Sequence, residues 1–348
     1  MRQRASKTKT RRAAQPAGTL LGIVAVLGAA ALWGTTGTVA TFAPEVGPLA
    51  IGAAALGIGG LLQALIALPA LFRARAALSA HVGSVIAGAI GVFIYPLAFY
   101  SSMHFAGVAV GTVVSLGSAP IASGVLERVT TGKKLSRWWM LAVALGIAGS
   151  TILAVAKVHD APSEIGPTIT GILVGLLAGA TYALYSFSAH KLMRRGIGRA
   201  AVMGAIFGLG GLLLMPVLVL TGAPLIASTR AFAVGAYMAL IPMFIGYVLF
   251  GYGLMRVTAS TATTLTLAEP AIAALLAVAI VGERLAPIGW VGMAAICVSL
   301  LVLSLGPATR KVETYRAKQR RAESDKAPRH GASTRASRIQ LGSWAQPG

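Results

Sequence analysis

Apolar runs of about twenty residues return ten times in this chain, near 19 to 41, 47 to 71, 82 to 102, 106 to 126, 138 to 157, 167 to 189, 200 to 220, 231 to 253, 257 to 281 and 286 to 305. A helix of that length crosses a hydrocarbon layer of roughly 30 Å and satisfies its backbone hydrogen bonds internally. The runs are continuous rather than alternating, and Ala, Leu and Gly dominate them, which favours helices over a barrel. With 56% hydrophobic and 11% charged residues, the 348-residue chain has far more apolar surface than one soluble core needs. The expected fold class is therefore an all-α integral membrane protein of ten transmembrane helices. The first run is too long for a signal peptide and reads as a retained span.

A net charge of +21 suggests nucleic acid only when the basic residues share one folded face. Here they sit in the tails and short loops, so a lipid bilayer and a small molecule are the expected partners, and nucleic acid is not. Ten spans place both termini on one side, and 27 of the 30 Lys and Arg fall there, leaving Lys157, Arg230 and Arg284 opposite. Without the tails the loop residues still divide 11 to 3. The positive-inside rule makes that side cytoplasmic in a multi-pass cell-membrane protein. Residues 1–18 and 306–348 read as basic, disordered cytoplasmic tails.

The chain also repeats itself. At an offset of 150, Ala119-Pro120 falls on Glu269-Pro270 and Gly132-Lys133-Lys134-Leu135 on Gly282-Glu283-Arg284-Leu285. At 151, Gly57-Ile58-Gly59-Gly60 meets Gly208-Leu209-Gly210-Gly211; at 149, AAALWGTTGTVA from Ala29 meets AGATYALYSFSA from Ala178. These offsets divide the chain into a five-span repeat at 19–157, an external linker at 158–166 and a second five-span repeat at 167–305. An odd number of spans turns the second copy upside down. Inverted repeats suit a site at mid-depth that opens alternately to either side, although a static duplicated scaffold has the same pattern.

The residue that most needs explaining is Glu269, a carboxylate in the ninth run followed directly by Pro270. An ionised side chain at that depth costs roughly 2.5 to 3.5 kcal/mol on insertion scales. Pro270 removes an N–H, so a carbonyl near Thr266 loses its helical partner and a kink is expected; Pro120 holds the matching place in the fourth run. Glu269 is thus expected either to line a pathway, gaining and losing a proton or gripping substrate, or to be a protonated glutamate bonded to a neighbouring helix. Trp33 and Thr36 share a helical face, and the repeat maps their neighbourhood onto Tyr182, Tyr185 and Ser186. Aromatic rings and hydroxyls at matching heights suit a binding cavity and also suit ordinary packing. Ser115 belongs to a polar strip with Thr112, Ala119 and Ser123, and Tyr95 precedes Pro96 in the third run.

Cys297 is the only cysteine, and the five histidines are scattered, so neither a disulfide nor a metal site is expected. HExxH, GxSxG and GxxxxGK[ST] do not occur, so no cofactor, catalytic residue or nucleotide site is expected and the chain does not read as an enzyme.

ALWGTTGT at Ala31 to Thr38, AEPAIAALLAVAIVGERL at Ala268 to Leu285, and the ten spans in two inverted halves resemble the drug/metabolite transporter superfamily, EamA type. The resemblance implies a bacterial inner-membrane secondary transporter, usually an exporter of amino acids, related metabolites or toxic compounds, with a central cavity lined by both halves. Three readings follow: export of small amphipathic metabolites, amino-acid-like ones favoured; efflux of lipophilic or cationic toxic compounds; or a nontransporting membrane receptor or scaffold.

Overall fold

The computed structural model describes residues 15–132, 134–156, 165–276, 278–279 and 285–305. Residues 1–14, residues 306–348, the 158–166 linker apart from its last two residues, and Gly282-Glu283-Arg284 lie outside them; the last four residues of the expected N-terminal tail instead open the first helix, Gln15–Trp33. Among the described residues nine helices are long and apolar enough to cross a membrane: Gly18–Ala40, Pro48–Ser79, Val82–Thr131, Arg137–Val155, Gly166–Arg194, Arg199–Thr221, Thr229–Leu254, Ala259–Leu276 and Pro287–Leu305. Leu65, Ile66, Phe72, Leu212, Val219 and Leu301 are exposed on their outer faces, as hydrocarbon-facing side chains should be.

Val82–Thr131 is two spans. Its 50 residues would reach about 75 Å as one helix, more than twice the hydrocarbon thickness. Gly107 interrupts it with φ 80° and ψ 153°, a backbone state that costs glycine little and a side chain much. The chain folds back there: a methyl on Gly111 would lie 2.6 Å from the Met103 nitrogen, although residues eight apart in one helix are separated by about 12 Å. With this hairpin the span count among the described residues is ten, and the third and fourth spans meet at Gly107.

The halves pack as a two-fold with antiparallel partners. In the second and seventh spans, Gly57 faces Gly211, and Gly60 faces Phe207 and approaches Gly208. Because the repeat pairs Gly57 with Gly208 and Gly60 with Gly211, the Gly57–Gly211 and Gly60–Gly208 contacts are mirror images of each other, as an isologous interface requires. The fifth and tenth spans behave likewise: a methyl on Gly149 would lie 2.7 Å from Gly292 O, and the equivalent pair, Ser299 and Ala142, joins through Ser299 Oγ donating to Ala142 O at 2.6 Å. The first span lies along the eighth through Gly22 with Arg256 and Val26 with Gly253. The sixth repeats this along the third through Gly171 with Ala106 and Gly175 with Ser102. Small residues at these crossings let helix backbones approach closely, which is how helices associate where lipid removes the hydrophobic drive.

Candidate functional site

Three broken helices meet at the centre. In the ninth span Pro270 leaves the Thr266 carbonyl without its donor four residues on. The helix Ala259–Leu265 stops there, Thr266 O accepts from Glu269 N at 3.0 Å, and a new helix, Ala268–Leu276, begins. Glu269 thereby stands in the first turn of a helix, where the macrodipole favours a carboxylate. The first span breaks at Gly34–Thr35, between Gln15–Trp33 and Thr36–Ala40. The two breaks touch: a methyl on Gly34 would lie 3.2 Å from Glu269 O. Thr36 Oγ1 donates to Trp33 O at 2.7 Å across the interruption.

The eighth span supplies the third irregularity, a π-helical stretch at Ala239–Ile245 containing Pro242. At its end Gly246 N–H reaches back to Ile241 O, five residues away, so the Pro242 carbonyl is left available. Trp33 Nε1 donates to it at 2.9 Å. A tryptophan of one half is thus fixed by a backbone group that only a distorted turn of the other half can offer.

Around this point an aromatic cluster assembles from both halves. Trp33 packs on Tyr247 with centroids 4.8 Å apart, Tyr95 on Tyr182 at 5.2 Å, and Tyr182 stacks on Tyr185 at 5.1 Å. Tyr185 and Tyr247 share a hydroxyl hydrogen bond of 2.8 Å, and Tyr182 OH donates to Thr266 Oγ1 at 3.1 Å. The cluster borders a chamber of about 20 Å³ lined by residues that include Trp33, Thr36, Tyr95, Tyr100, Tyr247 and Glu269. The lining contains no Lys, Arg or His among the described residues. Tyr100 OH is buried without a hydrogen-bond partner there.

The chamber therefore gathers Trp33, Thr36, Tyr95 and Glu269. Tyr182 and Tyr185 stand behind it in the aromatic cluster. Ser186 is buried with its Oγ unpartnered, and Ser115 packs toward the sixth span, 3.2 Å from the Cβ position of Gly175. Ser115 and Ala119 of the fourth span's strip thus seat the sixth span, and the helix runs through Pro120 unbroken. Phe99, Tyr100, Met243 and Tyr247 also line the chamber, and the sequence reading missed them. Tyr247 was hidden because its repeat partner is Pro96, which carries no ring or hydroxyl.

A chamber of about 20 Å³ holds roughly one water, whereas a small-molecule pocket takes on the order of 300 Å³. The helices around it must separate before a solute can enter. Broken helices that bring a carboxylate and aromatic rings together between two inverted halves define the class: a membrane transporter of the inverted-repeat kind.

The EamA-like transporter family model matches residues 20–155 and 169–305, one copy on each half, and the chain belongs to that family. It is 37% identical over 292 residues to the "Uncharacterized transporter YwfM" of Bacillus subtilis (strain 168), covering 82% of this chain and 94% of that protein. It is also similar to a "Probable terminal-alkyne amino-acid exporter" of Streptantibioticus cattleyicolor (strain ATCC 35852 / DSM 46488 / JCM 4925 / NBRC 14057 / NRRL 8057), 26% identical over 279 residues and covering 75% and 89% of the two chains. A crystal structure of a protein 18% identical superposes with a TM-score of 0.64 over 86% of this chain and 99% of its own, a likeness of fold alone.

Proposed function

We propose that the chain is a secondary exporter of small amphipathic metabolites, amino-acid-like ones favoured, working by alternating access across the cell membrane with both termini in the cytoplasm. The observation that carries this reading is Glu269 at a helix break, lining a chamber whose rings come from both halves. A substrate ammonium would pair with the carboxylate while its apolar part lies against Trp33, Tyr95 and Tyr247. When the chamber is empty a proton can replace the ammonium on Glu269, which gives a route to proton coupling. The name of the Streptantibioticus relative, an amino-acid exporter, supports the same substrate class.

Rocking must break contacts at one end of the bundle. At the end that carries most loop Lys and Arg, the Glu127 carboxylate accepts from Ser260 N at 3.0 Å and Ser260 Oγ at 2.9 Å, tying the fourth span to the ninth. His190 Nδ1 meets Leu254 O at 2.8 Å, tying the sixth to the eighth. Opening toward the cytoplasm requires the first of these ties to release, since it crosses between the halves.

Counterflow in proteoliposomes against a panel of amino acids and bulky lipophilic cations, with and without an imposed pH difference, tests the proposal. Saturable exchange of an amino acid, lost in Glu269→Gln, is expected; no flux of any solute would leave the receptor or scaffold reading. Efflux of cations is the second reading, favoured by electron-rich rings beside a carboxylate with no basic residue in the lining. Cation flux that amino acids do not compete with would establish it instead.

A further inference from the structure

The sixth span has two working faces. Tyr182 and Tyr185 point to the aromatic cluster. Leu184, Phe187 and Lys191 lie on the opposite side, since residues two apart in a helix are turned by about 200°. That far face borders a separate cleft of about 430 Å³ between the start of the third span, the end of the fourth and the end of the sixth. The cleft belongs to the periphery of the bundle rather than to the chamber at its centre.

Its chemistry is divided by depth. Leu126, Leu184 and Phe187 make apolar walls, and Lys191 and Arg195 stand at the rim. The rim is completed by the first turn of the third span at Val82 and Gly83, whose leading N–H groups have no intrahelical acceptor. No side chain caps that helix start, because the His81 ring reaches backward, its Nδ1 meeting Ala77 O at 3.0 Å. The carboxylate next in sequence to Leu126, that of Glu127, is engaged by Ser260 and does not neutralise the rim. A cationic, N–H-rich mouth over an apolar floor, at the basic end of a membrane bundle, matches a phosphodiester with acyl chains attached.

We propose that this cleft binds the headgroup of an anionic glycerophospholipid of the inner leaflet, with Lys191 and Arg195 on the phosphate and an acyl chain against Phe187 and Leu184. A free phosphate ion shares the headgroup chemistry, but it would leave the apolar walls unused. The site lies on the back of the helix that carries Tyr182 and Tyr185, so an occupied cleft would brace that helix. The binding claim itself does not depend on what the protein transports.

The test uses the purified full-length protein in detergent micelles, with retained lipid counted by native mass spectrometry and thermal unfolding followed in parallel. Added phosphatidylglycerol should bind and raise Tm, phosphatidylcholine should do neither, and inorganic phosphate should not displace the phosphatidylglycerol. Lys191→Gln with Arg195→Gln should weaken phosphatidylglycerol binding by about thirtyfold, the effect of two basic contacts. The charge-matched Arg73→Gln with Arg75→Gln, at exposed positions outside the cleft, should leave it unchanged. Arg195→Gln alone, at an exposed position, serves as the milder variant that keeps the fold. Equal binding by both double variants, equal binding of phosphatidylcholine, or displacement by inorganic phosphate would each overturn the proposal.

Discussion

The fourth and ninth spans occupy equivalent places in the two halves, and each carries a proline at the same height. Pro120 is buried in an unbroken helix, whereas Pro270 follows a break at Thr266–Leu267. Removing one N–H is therefore insufficient to break a helix in this fold. In the ninth span the freed backbone finds other partners: Glu269 N takes Thr266 O, while Thr266 Oγ1 accepts from Tyr182 and donates to Thr263 O at 2.9 Å. In the fourth span, Gly175 and Gly179 of the sixth press against the backbone and side chains of Ser115 and Ser118, which leaves the helix no room to part. Duplication supplied one architecture twice, and at this height the second copy has the carboxylate Glu269 where the first has Ala119.

Several substitutions would break or sharpen that contrast. The largest effect is expected for Glu269→Gln, which keeps volume and removes charge: counterflow should fall tenfold or more, on the order of the loss of a desolvated ionic contact, and its dependence on pH should flatten. Pro270→Ala should restore a donor to Thr266 O and slow exchange about threefold to tenfold, while Pro120→Ala changes it by less than about twofold. Equal effects at the two prolines would remove the functional distinction between the spans.

Smaller effects test the architecture itself. Gly60→Ala places a methyl against the Phe207 carbonyl, and Gly211→Ala places one 2.6 Å from Gly57 O. Each should cost about 1–3 kcal/mol of stability through overpacking, read as matching falls in Tm. Unlike falls would contradict a true two-fold at this interface. Trp33→Phe keeps the ring and removes the indole N–H from Pro242 O, which should cost about 1 kcal/mol and be visible as a modest Tm decrease with a larger loss of flux. Ser260→Ala should be the mildest, removing one of the two donors to Glu127; cysteines introduced at the basic end should then label faster if that tie holds the end shut.

Part of the candidate site is legible in the sequence. Glu269 and Pro270 stand out because hydrocarbon penalises charge and helices penalise proline, and both penalties act on single residues. Trp33, Thr36 and Tyr95 were legible from helical spacing and a neighbouring proline, and they do line the chamber. Tyr100, Phe99 and Tyr247 were not, because an aromatic residue in a membrane span carries no mark of which way it faces. Ser115 and its strip had the composition of a cavity wall, yet the sixth span packs on Ser115 and Ala119.

Hydrophobic length, charge asymmetry and the internal offset were enough to specify ten helices, their opposed halves and the place of the carboxylate, since the bilayer constrains each segment one at a time. Which carbonyl receives the Trp33 indole, how the hairpin at Gly107 closes, and whether a buried proline breaks its helix depended on contacts between segments far apart in the chain. Those outcomes turn on packing at the scale of a single methyl group, which a pattern of residue types does not encode.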